Sequence, residues 1–524
     1  MSKIQKKIES LSVWIVKIIG AGLFLFLSYY AMSYTHYMRP LTLEKTDVIK
    51  DNILLNMLYL ALFIIALCII RTCEKNLKSK LREFFSWGFV IVATAWIVTA
   101  GVWWITSADR NPESDQLMIW AAASYFAEGT FYFLQPSGGY LAVYPHQLPL
   151  VALMEGFFRI VGPFNYFAYQ ILNIVFTAGT TILGYLIVRE KSTSIVTAAA
   201  YSFLISGCFP FFFYSSWVYG ELPCLFFSFL AAWTLCVYIR KKKMIWLIGT
   251  VFGLAMATAT RKNAIILVVA FSILGIIYAI CKKDKKILSA VVLAIICPIL
   301  IYGGVYKMYE IRSGYEHGKG MPATLFVEMG LHESYGRYGW YDDSSMQLLK
   351  SVDYDVEQAD AIAKERIVKA VKEFQNNPKY ASLFFREKLL SQWNNPLFQS
   401  LYFTANYTEK NMPIEDSTVY KISNDYFFYI LTYSEIIHLI VFVGTFIYYV
   451  FSVEKKSNIL QYLFAVALIG GVLFSLIWEA KGRYIFPYYM TMFPMAVIGY
   501  NSLLEKLNVK VHRVYESFFV NKDL

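Results

Sequence analysis

"TSADRNPESDQLMIWAAASYF" (residues 106–126) begins where one of the most apolar runs of the chain stops. Three carboxylates, Asp109, Glu113 and Asp115, follow at once, Glu128 lies just beyond, and a single arginine, Arg110, sits among them. An apolar run that ends in a cluster of acids poses two questions: which compartment the acids face, and what chemistry they perform there.

The chain answers the first through composition. Of its 524 residues 57% are hydrophobic and only 16% charged, whereas a soluble domain carries roughly a quarter charged residues. Apolar runs of about 18 residues or more recur from end to end, long enough to cross a bilayer. The fold class this predicts is an all-α polytopic membrane protein. Spans fall at about 12–33, 52–70, 84–106, 164–188, 194–213, 219–239, 244–260, 264–280, 287–306, 426–451, 458–478 and 484–503, so about twelve (11–13). The segment 147–161, "QLPLVALMEGFFRIV", is short for a span and reads as re-entrant, interfacial or a thirteenth crossing. The first apolar run follows a basic N-terminus with no small-residue cleavage site, which predicts an uncleaved first span. Four parts follow: an N-terminal two-span segment (1–83), a transmembrane core with the acidic loop 107–146 (84–306), a hydrophilic insertion (307–425), and a C-terminal bundle with its tail (426–524).

A net charge of +11 does not signal nucleic acid, because the cations sit in short clusters between spans. "RTCEKNLKSKLR" (71–82), "REKS" (189–192), "RKKK" (240–243), "CKKDKK" (281–286) and "EKKS" (454–457) all fall on one side if twelve spans are counted. Both termini join them, and the positive-inside rule makes that side cytoplasmic. The acidic loop then faces outward, with the insertion. The seven cysteines show no metal-ligand or disulfide spacing and read as small apolar packing residues.

On that outer side several constellations could carry chemistry. Asp115, Ile119, Ala122 and Phe126 share one face at helical spacing, which predicts a short helix on the membrane surface with Asp115 in its first turn. A carboxylate at an apolar interface can serve as a general base; in a first turn it also suits the helix dipole. "GGYLAVYPHQLPL" offers Tyr144, His146 and Gln147 on a polar-tipped loop. "WVYGELPCLFF" puts Glu221 at an outer span end, where an acid is costly without a partner or a wet cavity. Arg261, Lys262, Lys481 and Arg483 lie on the outer side against the positive-inside trend, and cations there suit an anionic headgroup such as a lipid phosphate. Tyr484 follows Arg483 directly. In the insertion, "SMQLLKSVDYDVEQADAIAKERIVKAVKEFQNNPKYASLFFREKLLSQWNNP" reads as one or two amphipathic helices; before it, His332, Tyr338, Trp340 and Tyr341 sit in a Gly- and Tyr-rich loop.

The ordered set resembles the GT-C superfamily of membrane glycosyltransferases, in particular bacterial relatives of the protein O-mannosyltransferase and aminoarabinose transferase group. "SDQLMIWAAASYF" is similar to the group's acidic motif on an interfacial helix, "VYPHQLPL" to its Tyr-Pro element, "YGELP" to its Tyr-acid-Pro turn, and "WEAKGRYIFPYY" to a late Arg-Tyr-Pro element. The group's motif is Asp-Glu; here Gln116 follows Asp115, so the second carboxylate falls to Asp109, Glu113 or Glu221. The resemblance implies inverting transfer of a sugar from a polyprenyl-phosphate donor to an acceptor hydroxyl at the outer face of a plasma membrane. The acceptor would be a cell-envelope glycan, another lipid-linked glycan or a protein. Asp115, Asp109 and Glu221 would be catalytic, Arg261, Lys262, Lys481 and Arg483 would bind the donor phosphate, and Tyr144, His146, Gln147, Trp340 and Tyr484 would bind substrate. No metal ligand is assigned, and a divalent cation stays open as a cofactor. The rival readings are a lipid-linked glycan flippase or transporter, a lipid-linked glycan polymerase or ligase, and a membrane scaffold. Charges clustered at outer span ends, rather than at mid-membrane, favour the enzyme.

Overall fold

The computed structural model describes residues 3–515 apart from 41, 43, 109–111, 137, 138, 317, 406–416 and 455–457, with the backbone alone at 405 and 508–515. Asp109, one of the expected catalytic acids, lies outside the described residues, as does most of the basic cluster 454–457.

The chain is a bundle of helices. Its longer members are α1 (Lys3–Ser33), α2 (Ile53–Lys75), α3 (Ser79–Ala108), α4 (Ser114–Ala127), α5 (Leu148–Val161), α6 (Tyr166–Arg189), α7 (Ile195–Ser206), α8 (Glu221–Lys241), α9 (Met244–Thr260), α10 (Ile265–Lys282), α11 (Lys285–Ser313), α12 (Ala323–Gly330), α13 (Ser344–Ser351), α14 (Val356–Asn376), α15 (Pro378–Trp393), α16 (Phe427–Phe451), α17 (Leu463–Ile477) and α18 (Gly482–Tyr515). Several open on side-chain caps that satisfy the first free amides: Asn52 Oδ1 accepts from Leu54 and Leu55, and Asp284 Oδ1 from Lys286 and Ile287. Two small antiparallel ladders interrupt the helices. One joins Tyr34–Tyr37 to Asp47–Lys50 in the loop between α1 and α2, and the other joins Glu333–Ser334 to Arg337–Tyr338.

Each of the twelve expected spans is helical. Among the described residues, nine helices are long and apolar enough to cross a membrane, which makes this a multi-pass membrane protein. The pair Ile195–Ser206 and Phe209–Ser216, bent by 58°, is a broken span or a re-entrant loop and would be the tenth if it is one span. The bend sits at Gly207 and Cys208, just before Pro210, whose missing N–H and fixed φ suit a helix start rather than a continuation. Two expected spans fall short. Helix α9 has only 17 residues, and α18, rich in tyrosine and holding Pro487 and Pro494, is not among the strongly apolar helices. Helix α5 settles the ambiguous segment: 14 residues rise only ~21 Å, against ~30 Å for a bilayer core. It packs on α4 and α11.

Close helix approach uses small residues, as membrane bundles do. A Cβ on Gly499 would lie 2.3 Å from the Gly444 carbonyl, so α18 and α16 meet backbone to backbone. At one end of the bundle the basic loops interlock. Arg189 pairs with Glu83 at 2.5 Å, Arg240 with Glu190 at 2.8 Å, Lys282 with Glu9 at 3.4 Å and Lys506 with Glu454 at 3.7 Å, while Arg71 Nη1 donates to Ser194 Oγ at 3.1 Å.

The other end carries the insertion. The stretch expected to form one or two amphipathic helices forms three, α13, α14 and α15, and α15 is not amphipathic, because its C-terminal turns are buried all round from Lys388 to Trp393. The expected Gly- and Tyr-rich loop holds the end of α12 and the second ladder. Lys388, fully buried on α15, donates to the carbonyls of Gly330 and Leu476, near the C-termini of α12 and α17, where carbonyl dipoles favour a cation. Glu155 fastens α5 to the end of α11. Its Oε1 accepts from Arg159 Nη2 at 2.8 Å and Arg312 Nη2 at 2.6 Å, and its Oε2 from Arg312 Nη1 at 2.9 Å and Tyr309 OH at 2.7 Å. Burial raises its carboxyl pKa, but the bonds from Arg312, Tyr309 and Arg159 outweigh that and leave it lowered. Removing one partner from such a buried network costs about 3–5 kcal/mol. Glu155→Ala should therefore lower stability in detergent by about 3 kcal/mol. Arg159→Ala, whose side chain is half exposed, should cost under ~1 kcal/mol. Thermal unfolding of the two variants side by side checks this.

Candidate active site

Helix α4 begins after Glu113, which makes no side-chain cap, and Ser114 adopts a positive φ of 55°. The expected stripe is buried: Ile119, Ala122 and Phe126 are sealed in the core, and Asp115 stays about a third exposed. Asp115 Oδ2 accepts from Arg483 Nη2 at 2.8 Å and Oδ1 from Tyr140 OH at 3.2 Å. Burial, then the Asp115 charge, raises the Tyr140 hydroxyl well above its ordinary value, so Tyr140 stays protonated and donates. The next residue, Gln116, is buried: its Oε1 accepts from Val218 N and Tyr166 OH, both at 3.0 Å. The amide thus pins α4 to the turn before α8, where the related motif has a second acid.

That turn delivers Tyr219, Gly220 and Glu221. A Cβ on Gly220 would lie 2.1 Å from the Thr260 carbonyl, so glycine is what lets the start of α8 touch the end of α9. The contact brings Glu221, 1% exposed, against Arg261, and their side chains pair directly. Arg483 comes from the first turn of α18. Its Nη1 lies 3.9 Å from Glu221 Oε1, beyond hydrogen-bond reach. Two guanidiniums therefore face two carboxylates. The rings of Tyr219 and Tyr484 lie against both cations, at 5.5 and 5.3 Å from the Arg261 Cζ and 5.2 Å each from that of Arg483, a favourable use of the π faces. Among the described residues Nε and Nη1 of Arg483, a residue only 6% exposed, have no hydrogen-bond partner, nor has Glu221 Oε2.

Of these groups Asp115, Tyr140, Tyr219, Arg483 and Tyr484 border a cavity of about 210 Å³, while Arg261 and Glu221 lie behind them and do not line it. Tyr144, His146, Gln147 and Tyr484 line it, Gln147 Nε2 donating to Tyr219 OH at 2.5 Å. Burial, then the Lys262 charge, pushes the His146 pKa down to about 4, with Asp115 opposing, so the imidazole is neutral near pH 7. Lys481 also lines the cavity, but its ammonium is engaged: Glu44 Oε1 and Oε2 lie at 2.6 and 2.7 Å, and Glu479 Oε1 at 3.8 Å. Lys262 is exposed on the turn before α10 and is not a lining residue. Trp340 departs from its expected place. It is 2% exposed, donates to Ser391 Oγ at 2.9 Å, and pairs with Ala480 in a β-bridge. Its neighbour Tyr341 meets the cavity instead, together with Met321, Phe326 and Met346 of the insertion. Tyr338 packs on Phe384, and His332 is half exposed beside Asp342.

Glu44, Tyr140 and Tyr219 were not among the residues the sequence singled out, and Glu479 had no assigned role. Glu44 carries one usable signal, an acid in the loop "RPLTLEKTD" between the first two spans. Among the described residues no group of three or more His, Cys, Asp or Glu side chains is placed to hold a metal ion. A larger cavity, about 990 Å³ between α2, α3, α7 and α16, is lined without carboxylate, amine or guanidinium and holds no chemistry.

Residues 146–302 match the family model described as dolichyl-phosphate-mannose-protein mannosyltransferase, the group the motifs resemble. The match runs from His146 through Glu221, Arg261 and most of α11. It supports a glycosyltransferase activity of the GT-C kind in general. No curated protein matches the chain.

The depressed His146 pKa has a consequence for stability. The unfolded chain binds this proton below about pH 6.5 and the folded chain only below about 4, so the unfolded state holds more protons between the two. Stability should fall on acidification from about pH 6.5 to 4. Replacing His146 with Gln should flatten that part of the curve, as denaturation midpoints at stepped pH would show.

Proposed function

We propose that the chain transfers a sugar, with inversion, from a polyprenyl-phosphate donor to an acceptor hydroxyl at the outer face of a plasma membrane, in the modification of a cell-envelope glycan, lipid-linked glycan or protein. One observation carries this reading: a part-exposed carboxylate, Asp115, shares a cavity with a buried arginine, Arg483, that keeps two hydrogen-bond donors unused. A base beside an anion site is what such a transfer needs.

In this reading Asp115 Oδ takes the proton of the acceptor hydroxyl as its oxygen attacks the anomeric carbon. The bond from that carbon to the phosphate oxygen breaks, and the electron pair leaves with the phosphate. Negative charge grows on the phosphate in the transition state, where Arg483 Nε and Nη1 and the neighbouring Arg261 stabilise it. Donors fixed before the charge develops do this at little reorganisation cost. Glu221 serves as counter-ion to both guanidiniums and keeps them in place while the site is empty. Tyr484 borders both the polar cavity and a narrow apolar crevice with Cys224, Leu267 and Ala467. A phosphate at the arginines could thus leave its prenyl tail among the spans. The sidedness rests on the interlocked basic loops, which the positive-inside rule puts in the cytoplasm with both termini, and on the cavity lying among the outer loops.

Asp115→Asn should fold and insert but lose transfer from a polyprenyl-phosphate sugar panel by about 10²–10⁴-fold, the range of a general base. Turnover unchanged in that variant would remove Asp115 from the role. Arg483→Ala should lower kcat/KM for the donor by about 10²–10³-fold; a change confined to the acceptor KM would contradict its placement at the phosphate. Lipid-linked glycan translocation in vesicles without any transfer would favour the flippase instead.

A further inference from the structure

The cavity has two chemically different ends. At one, Arg483 meets Asp115, with the Arg261–Glu221 pair behind it, and among the described residues Arg483 retains unpartnered donors although it is more than nine-tenths buried. At the other, one ammonium, Lys481, lies between two carboxyl groups, Glu44 and Glu479. The Lys481 end thus has an excess of acceptor oxygens, with burial raising the Glu479 carboxyl pKa against the pull of Lys481 and Arg483, and the arginine end an excess of donors. Lys481 is unsuited to a phosphate in this arrangement, because its ammonium already faces both carboxyls and lies 4.5 Å from the centroid of the Tyr341 ring.

Glu44 is held with care. Its Oε1 accepts from Lys481 and from Gln399 Nε2 at 2.7 Å, and its Oε2 accepts from Lys481. Gln399 in turn accepts from the Gly482 amide at 2.6 Å, at the start of α18. A carboxylate oxygen has two acceptor sites, so Oε1 is filled and Oε2 keeps one. Glu479 Oε2 accepts a long bond of 3.4 Å from Tyr484 OH. Both residues line the cavity.

We infer that Glu44 and Glu479, fixed by Lys481, read the hydroxyl groups of the transferred sugar and select an uncharged or cationic sugar over an acidic one. The inference deepens the transfer reading above and rests on it. Sugar hydroxyls donate well to carboxylates, and charge-assisted bonds of this kind are short and directional. A uronate at the same place would set a third carboxylate against two, with Lys481 already paired and Arg483 engaged with Asp115. That is discrimination by a repulsive element as well as an attractive one. The phosphate, at the arginine end, meets the opposite environment, so one cavity orients the donor end to end. Glu44 reaches the site from the loop between the first two spans, 437 residues from Lys481, which gives the N-terminal segment a part in substrate choice.

The test uses the full chain in detergent with matched pairs of polyprenyl-phosphate donors, each a neutral hexose and its C6-carboxylate counterpart. The wild type should favour the neutral member by at least about 100-fold in kcat/KM, since like-charge juxtaposition is costly. Glu44→Gln should raise the KM for the neutral donor and shrink the preference by about tenfold; Glu479→Gln should shrink it in the same direction and covers the case in which the Glu44 variant does not fold. A wild type that uses both members equally overturns the inference without any variant, and so does a wild-type preference preserved in both variants. If the wild type transfers from no donor in the panel, the transfer reading itself fails and this one falls with it.

Discussion

The site depends on one electrostatic constraint: two guanidiniums, Arg261 and Arg483, are buried at the ends of α9 and α18 and must be compensated there. Glu221 and Asp115 supply the compensation from the starts of α8 and α4. Charges withdrawn from water are tolerated only when paired and surrounded by favourable dipoles or π faces, and here Tyr219 and Tyr484 provide the latter. Four helix ends are thereby forced to meet. Gly220 lets two of them touch, and Gln116 holds a third to the turn.

The rest of that end of the bundle fixes this meeting point. The Glu155 network ties α5 to α11, and Arg159 and Arg312 also reach the Phe126 carbonyl, at the end of α4. Trp340 carries the Ala480 strand bridge, so the insertion positions the turn that bears Glu479, Lys481 and Arg483. Lys388 joins the insertion to the end of α17 in the same region. The insertion contributes cavity wall through Tyr341 and its methionines and braces the remainder. A site built on rigid helix ends, with a braced roof, suits chemistry that relies on placed donors rather than on movement of charge at the moment of reaction.

Charge balance also explains how the cavity could be stable without ligand and still receive an anion. Each cation has a carboxylate, yet Arg483 has more donors than Asp115 can use. An incoming phosphate would take up those donors without stripping Arg483 from Asp115. Lys481 differs: sequence position groups it with the arginines, but its ammonium is paired with Glu44.

The sequence by itself determined the membrane class, the helical character of all twelve apolar segments, the division of basic and acidic loops, and the helix with Asp115 in its first turn. Each is a local property, set by the hydropathy of about 20 consecutive residues or by one helical period. Asp115, Glu221, Arg261, Arg483, Tyr144, His146, Gln147 and Tyr484 were legible as candidates because charged or polar groups at outer span ends are costly and therefore conspicuous. Tertiary structure alone decided the partners. Arg483 and Asp115 are 368 residues apart and Lys481 and Glu44 437, and no local pattern encodes which span ends adjoin. It also decided that α5 stops short of crossing and that α18 packs by its tyrosines and small residues. Trp340 became a strut rather than a lining residue for the same reason: whether an aromatic ring faces a cavity or a neighbouring helix depends on what packs behind it.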